Sequence, residues 1–156
     1  MSTDSPIDRV VAIATHNAIA VDRQGRFPKE SIEALREEGF FGLVSATSVG
    51  GQGLGVRAAA EVVEQLARAC GSTAMVTCMH YSGALVIERF GDEATRREIA
   101  AGRHLSTLAF SEAGSRSMFW APTSTATSAG DGVRLDARKS WVTAAHEATA
   151  YVWSSR

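Results

Sequence analysis

The sequence has little that would staple a small scaffold together. It contains two cysteines, Cys70 and Cys78. Two are too few for a disulfide framework, and their spacing does not suit a CxxC metal site, so both read as buried reduced thiols. Excess charge of either sign is missing too. The formal net charge is -1, and no basic stripe with interleaved aromatics occurs, which argues against nucleic acid or an anionic membrane as the main partner. The opening MSTDSPIDRVV lacks a basic segment followed by an apolar core, so no secretory signal is read there and the expected location is cytoplasmic. The longest stretch without charge, Ala69 to Ile87, carries Gly71, Ser72, Thr73, Thr77, His80, Ser82 and Gly83. That is too polar for a lipid-facing span and fits a helix buried inside a bundle. Internal repeats and low-complexity linkers are absent.

What is present is helical periodicity, then a change of character. Apolar residues at Ile7, Val10, Val11, Ala14, Ala18 and Val21 mark a first amphipathic helix, with Asp4 or Ser5 as N-cap and Pro6 in the first turn. Gly25 and Pro28 break it, and a second helix follows over Lys29 to Glu38, ended by Gly39. Val56 to Cys70 forms a third, with Ala59, Val62, Val63, Leu66 and Ala69 on one face. The uncharged stretch forms a fourth; after Phe90, Gly91 and Asp92, a solvated fifth runs over Glu93 to Ala101. His80, with no second ligand at helical spacing, reads as a hydrogen-bonded core or pocket-edge histidine.

The loop GGQGLG, residues 50 to 55, invites a nucleotide-binding reading. The dinucleotide fingerprint requires a third glycine where Val56 stands, and a preceding strand where the sequence reads as helix, so a tight turn between helices is the better reading.

After Gly102 the segments Leu105 to Phe110, Thr123 to Ser128, Val133 to Leu135, Trp141 to Thr143 and Thr149 to Ser154 are short and rich in β-branched or aromatic residues. Gly130, Asp131 and Gly132 supply a turn. Five helices followed by about four strands indicate an α+β fold or two separate domains rather than an α/β sheet. A length of 156 residues allows either one good core or one small domain and part of a second, and does not decide between them.

The order of these features resembles the acyl-CoA dehydrogenase family of flavoproteins. The pieces that carry the resemblance are DRQGRFPKE, LREEGFFGL with GGQGLG, EVVEQLARACGSTA, FGDEATRREIAAG, LAFSEAGS and ARKSWVTAA. It implies an all-α helical N-terminal domain over residues 1–103 and the first part of an antiparallel, flavin-binding β-domain over 104–156. The family's first flavin motif, TEPxxGSD, is matched in shortened form by Ser111, Glu112, Ala113, Gly114 and Ser115. Ser111 is then expected to face the flavin ring, Leu108 to Phe110 to offer backbone donors and acceptors, and Gly114 to allow close approach. Ser115 is expected to touch the acyl-CoA substrate, with Ser117 as the alternative register. The proline of the motif is Ala113 here and its acidic end is Arg116. The second motif, GxKxWxT, is matched by Lys139, Trp141 and Thr143, with Ala137 in place of glycine. Trp141, Val142 and Thr143 would pack on the isoalloxazine and place a hydroxyl near N5; the bland alternative is a buried strand tryptophan.

The resemblance implies FAD as cofactor and α,β-dehydrogenation of an acyl-CoA thioester, with an electron-accepting flavoprotein or other acceptor and a homo- or hetero-oligomer as the setting. The family's base lies in a C-terminal helical domain beyond the end of this chain, so no catalytic base is assigned, and the chain reads as a fragment or as one part of a split assembly, expected to be inactive alone. Glu112 is expected to shape the flavin loop. A flavin-dependent monooxygenase on the same scaffold, or an interaction subunit that binds no flavin, are the alternatives.

Overall fold

The computed structural model describes residues 5–116 and 118–156. Five α-helices come first: α1 Pro6–Gln24, α2 Lys29–Glu37, α3 Val56–Ala69, α4 Gly71–Phe90 and α5 Glu93–Ala100. Four short strands follow: β1 Ser106–Ala109, β2 Thr127–Ala129, β3 Gly132–Arg134 and β4 Ala150–Trp153. Ser5 is the N-cap of α1, with Pro6 in its first turn. The Ser5 amide donates to the Asp8 carboxylate at 3.1 Å, which occupies a group the helix start leaves free. The alternative cap, Asp4, lies outside the described residues.

The core forms where the apolar stripes of α1, α2 and α3 meet α4. Val10, Leu35, Phe41, Leu66 and Ile99 are all fully buried in it or nearly so. Helix α4 has buried residues on several faces, including Ala74, Val76, Thr77, His80, Tyr81 and Ala84, which explains why its sequence carries no charge over so many turns. Among its hydroxyls, Thr77 Oγ1 donates to the Thr73 carbonyl at 2.8 Å and Tyr81 OH to the Phe40 carbonyl at 3.0 Å, while the buried Thr73 Oγ1 has no partner among the described residues. No helix among the described residues is long and apolar enough to cross a membrane. Cys70 is buried and Cys78 half-buried, both free.

The glycine-rich segment is a structural turn. Two 3₁₀ turns, Phe40–Gly42 and Thr47–Val49, lead into it. The amides of Gln52, Gly53 and Leu54 then donate back to the carbonyls of Gly42, Ser45 and Leu43 at 2.9, 2.8 and 3.0 Å. A Cβ placed on Gly51 would lie 2.2 Å from the Ser45 carbonyl oxygen, so the loop is folded against its own backbone.

His80 ties this helical body to the strands. Its Nε2 lies 3.0 Å from the Phe41 carbonyl, and its Nδ1 accepts from the Ser106 amide at 3.1 Å. Together these partners select the neutral tautomer with the proton on Nε2. The ring is fully buried, and burial lowers its pKa from 6.5 to about 4. The unfolded chain therefore takes up the proton first as the pH falls. Stability contributed by the neutral ring is present above about pH 6.5 and is lost between there and pH 4, a loss of about 3 kcal/mol at roughly 1.4 kcal/mol per pH unit. Denaturant titrations across that range should show this steep fall, and the profile of His80→Gln should be flatter over the same interval.

The β part is mixed. β2 and β3 form the antiparallel hairpin expected from the Gly130–Gly132 turn, with Thr127 opposite Arg134. β1 and β4, however, run parallel, with Ser106 opposite Ala150 and Ala109 opposite Trp153. The expected antiparallel pairing thus holds for β2 and β3 but not for β1 and β4, whose long connection returns the chain to the starting end, as a parallel pair requires. Trp141 to Thr143 is not a strand. Trp141 has φ +57° and Ala144 φ +54°, values no strand accommodates, and β-branched composition alone could not reveal them. Only the end of the expected Thr123 to Ser128 strand forms, as part of β2.

Candidate functional site

The two segments singled out in the sequence, residues 111–115 and 139–143, meet in space. Glu112 and Lys139 form an isolated antiparallel bridge, and the Ser140 amide donates to the Ser111 carbonyl at 2.9 Å. Beneath the backbone contact lies a buried ion pair, with Lys139 Nζ 2.5 Å from Glu112 Oε1 and both side chains under 5% exposed. Burying two charges is costly unless every remaining lone pair and proton finds a partner. Here they do. Glu112 Oε2 accepts from the Thr123 amide at 2.6 Å, the Thr123 hydroxyl at 2.5 Å and the Ser124 amide at 2.9 Å, while the Ser124 hydroxyl donates to Oε1. Lys139 Nζ also donates to the Ser154 carbonyl at 2.6 Å and lies 5.0 Å from the centre of the Trp153 ring. The hydrogen bond from Lys139, followed by those from Ser124 and Thr123, holds the Glu112 carboxyl well below the usual carboxylate range. An anion so fully engaged has no lone pair to offer a substrate proton, so Glu112 is a loop anchor and not a base.

Above this anchor the expected site residues are arranged unevenly. Leu108, at the third position of β1, and Phe110, just beyond it, are half-buried. The Phe110 ring stacks on Phe119 at 5.7 Å, and Trp120 meets Phe119 edge-on at 5.0 Å. Ser111 is half-buried. Gly114 has φ +87°, with open space where a Cβ would stand, so its requirement is conformational rather than steric. Ser115 is buried and its hydroxyl donates to the Glu112 carbonyl at 2.9 Å; in this loop conformation it closes the turn, and a substrate contact would require it to rotate. The alternative register, Ser117, lies outside the described residues. Val142 and Thr143 are half-buried, and Thr143 is held through its carbonyl, which accepts from Thr107 Oγ1 at 2.8 Å. Trp141 is 92% exposed, which excludes the buried strand tryptophan.

Thr143 and Ala144 form one wall of a cleft of about 410 Å³ whose other walls are the α1–α2 turn and the first turn of α4. No cluster of histidine, cysteine and carboxylate residues suited to a metal occurs among the described residues. The residue types fit a flavin: an exposed indole face, hydroxyls at Ser111 and Thr143, and a loop whose backbone is held by side chains rather than by a neighbouring strand. Sequence reasoning overlooked the parts played by Thr123, Ser124 and Ser154. They belong to no spacing pattern, and only the fold brings them to the Glu112–Lys139 pair.

Comparison with known proteins places the chain in a family. A sequence profile described as acyl-CoA dehydrogenase, N-terminal domain, matches residues 9–102. The short-chain specific acyl-CoA dehydrogenase of bovine mitochondria is 31% identical over 140 residues, which is 86% of this chain and 34% of the relative. A 3-sulfinopropanoyl-CoA desulfinase from Advenella mimigardefordensis is 29% identical over 137 residues, covering 85% of this chain and 34% of the relative. Among solved structures, KijD3 in complex with FMN and a dTDP-amino-keto sugar superposes with a TM-score of 0.77 at 26% identity, over 97% of this chain and 39% of that one. The chain thus spans about a third of the length of the curated relatives it matches.

Proposed function

Since the chain belongs to the acyl-CoA dehydrogenase family, we propose that residues 104–156 supply the first part of a flavin-binding β-domain, and that the protein is an FAD-dependent oxidoreductase acting on an acyl-CoA thioester. The observation that carries this reading is the convergence of residues 111–115 and 139–143 on one buried ion pair, since two segments far apart in sequence could not shape one site otherwise. Trp141 offers its exposed face for stacking, and the Ser111 and Thr143 hydroxyls offer hydrogen bonds to the ring edge. When bound, the flavin would accept a hydride from the substrate β-carbon. The residues of this chain bind and orient; none of them is assigned the removal of the α-proton, because Glu112 is engaged on both oxygens. Ser115 is the proposed acyl-CoA contact, reached by rotation of its hydroxyl away from the loop.

A flavin-dependent monooxygenase on the same scaffold is the second reading, favoured by the similarity to KijD3, whose structure holds FMN. Anaerobic mixing of the flavin-loaded intact protein with short acyl-CoA thioesters separates the two. The dehydrogenase reading expects the flavin absorbance to bleach without oxygen. An oxidised flavin that persists under those conditions, together with oxygen uptake once the flavin is reduced, would contradict it and favour the monooxygenase.

A further inference from the structure

Resting on that flavin reading, we propose that Lys139 and Glu112 are positioning residues for the cofactor, setting the separation of the Ser111 and Thr143 segments by a buried ionic latch. The latch draws on four stretches of chain: Glu112, the Thr123–Ser124 pair, Lys139 and Ser154, the residue after β4. Each contributes a contact that the others cannot replace. Glu112 receives two amides and two hydroxyls as well as the ammonium, and Lys139 divides its protons between Glu112 and Ser154. Apart from the latch, the segments are joined to each other by the isolated Glu112–Lys139 bridge and a Ser140–Ser111 hydrogen bond. Residues 110–116 and 139–149 contain no regular strand, and the backbone tie between Ser111 and Ser140 is a single hydrogen bond. Trp141 follows two residues after Lys139, with its ring in solvent, so the indole is aimed by its backbone, which the latch and the Ser140–Ser111 hydrogen bond hold on one side and the Thr107–Thr143 hydrogen bond on the other. A shift on the order of 1 Å in such a segment costs up to about a hundredfold in function.

The test uses the intact protein with FAD and FMN as probes. Lys139→Met is expected to weaken flavin binding about tenfold to a hundredfold. The flavin that still binds at saturation should show an altered visible circular dichroism spectrum, because the ring sits in a changed environment. Lys139→Arg, which keeps the cation, should restore most of the affinity. An unchanged affinity and spectrum in Lys139→Met would overturn the proposal. So would a lower thermal midpoint with an unchanged spectrum of the saturated flavin, which would mean that the pair supports the fold alone. If Lys139→Met does not fold, Glu112→Gln takes its place, since it keeps the shape and an acceptor oxygen; an unaltered flavin spectrum there would equally overturn the latch. Failure of the unsubstituted protein to bind either flavin would instead remove the flavin reading itself, and the latch with it.

Discussion

Trp141→Ala should lower flavin affinity roughly tenfold while leaving the stability of the fold unchanged. The two effects separate because the indole is 92% exposed. Truncating it removes no buried contact, so the unfolding midpoint has no reason to move. Stacking of an aromatic face on a flavin ring is worth about 1.5 kcal/mol beyond simple burial, which corresponds to the tenfold change. Thermal melts of the flavin-free protein and flavin titrations of both forms supply the two readouts. A tryptophan that served the fold would reverse the pattern, with a lower midpoint and the same affinity. The positive φ at this residue, +57°, is unfavourable for a bulky side chain. Its place in a turn, with its ring in solvent, is what a ligand contact leads one to expect.

Gly51→Ala should produce the largest stability loss of any glycine substitution in the loop. The added Cβ would lie 2.2 Å from the Ser45 carbonyl oxygen and 2.5 Å from the Ser45 Cβ. These are not flexible neighbours. The Ser45 carbonyl accepts the Gly53 amide and the residue is buried, so relief requires the whole turn to shift, at a cost of about 3 kcal/mol. Gly55→Ala is the matched control, because nothing lies within 4 Å of its added Cβ and its φ of -91° suits any residue; its midpoint should be close to that of the unsubstituted protein. Equal midpoints for both variants would show that the loop is not folded onto Gly42–Ser45 as described.

The helical part was legible because its signals are local. Apolar spacing in α1 and α3, Gly25 and Gly39 after α1 and α2, and the absence of charge along α4 each follow from the requirements of a single element. His80 illustrates the boundary of that legibility. Its spacing excluded a metal partner on the same helix, yet its actual partners, Phe41 and Ser106, lie 39 and 26 residues away. The strand part was less legible, since three- and four-residue strands carry too few positions to display an alternation. Trp141 to Thr143 has the composition of a strand and the dihedral angles of a turn, and only the latter decide where the indole points. The two candidate flavin segments were found through family resemblance. The reason they cohere, a carboxylate ringed by an ammonium, two hydroxyls and two amides, is a property of the folded chain.

The most direct test of the account is a flavin titration of the intact protein, followed by visible absorbance and by quenching of tryptophan fluorescence. Saturable binding of FAD is expected, with a perturbed flavin spectrum that Trp141→Ala and Thr143→Ala both weaken. Binding that is absent, or that is equally tight in both variants, would contradict the claim that residues 111–115 and 139–143 form a flavin site.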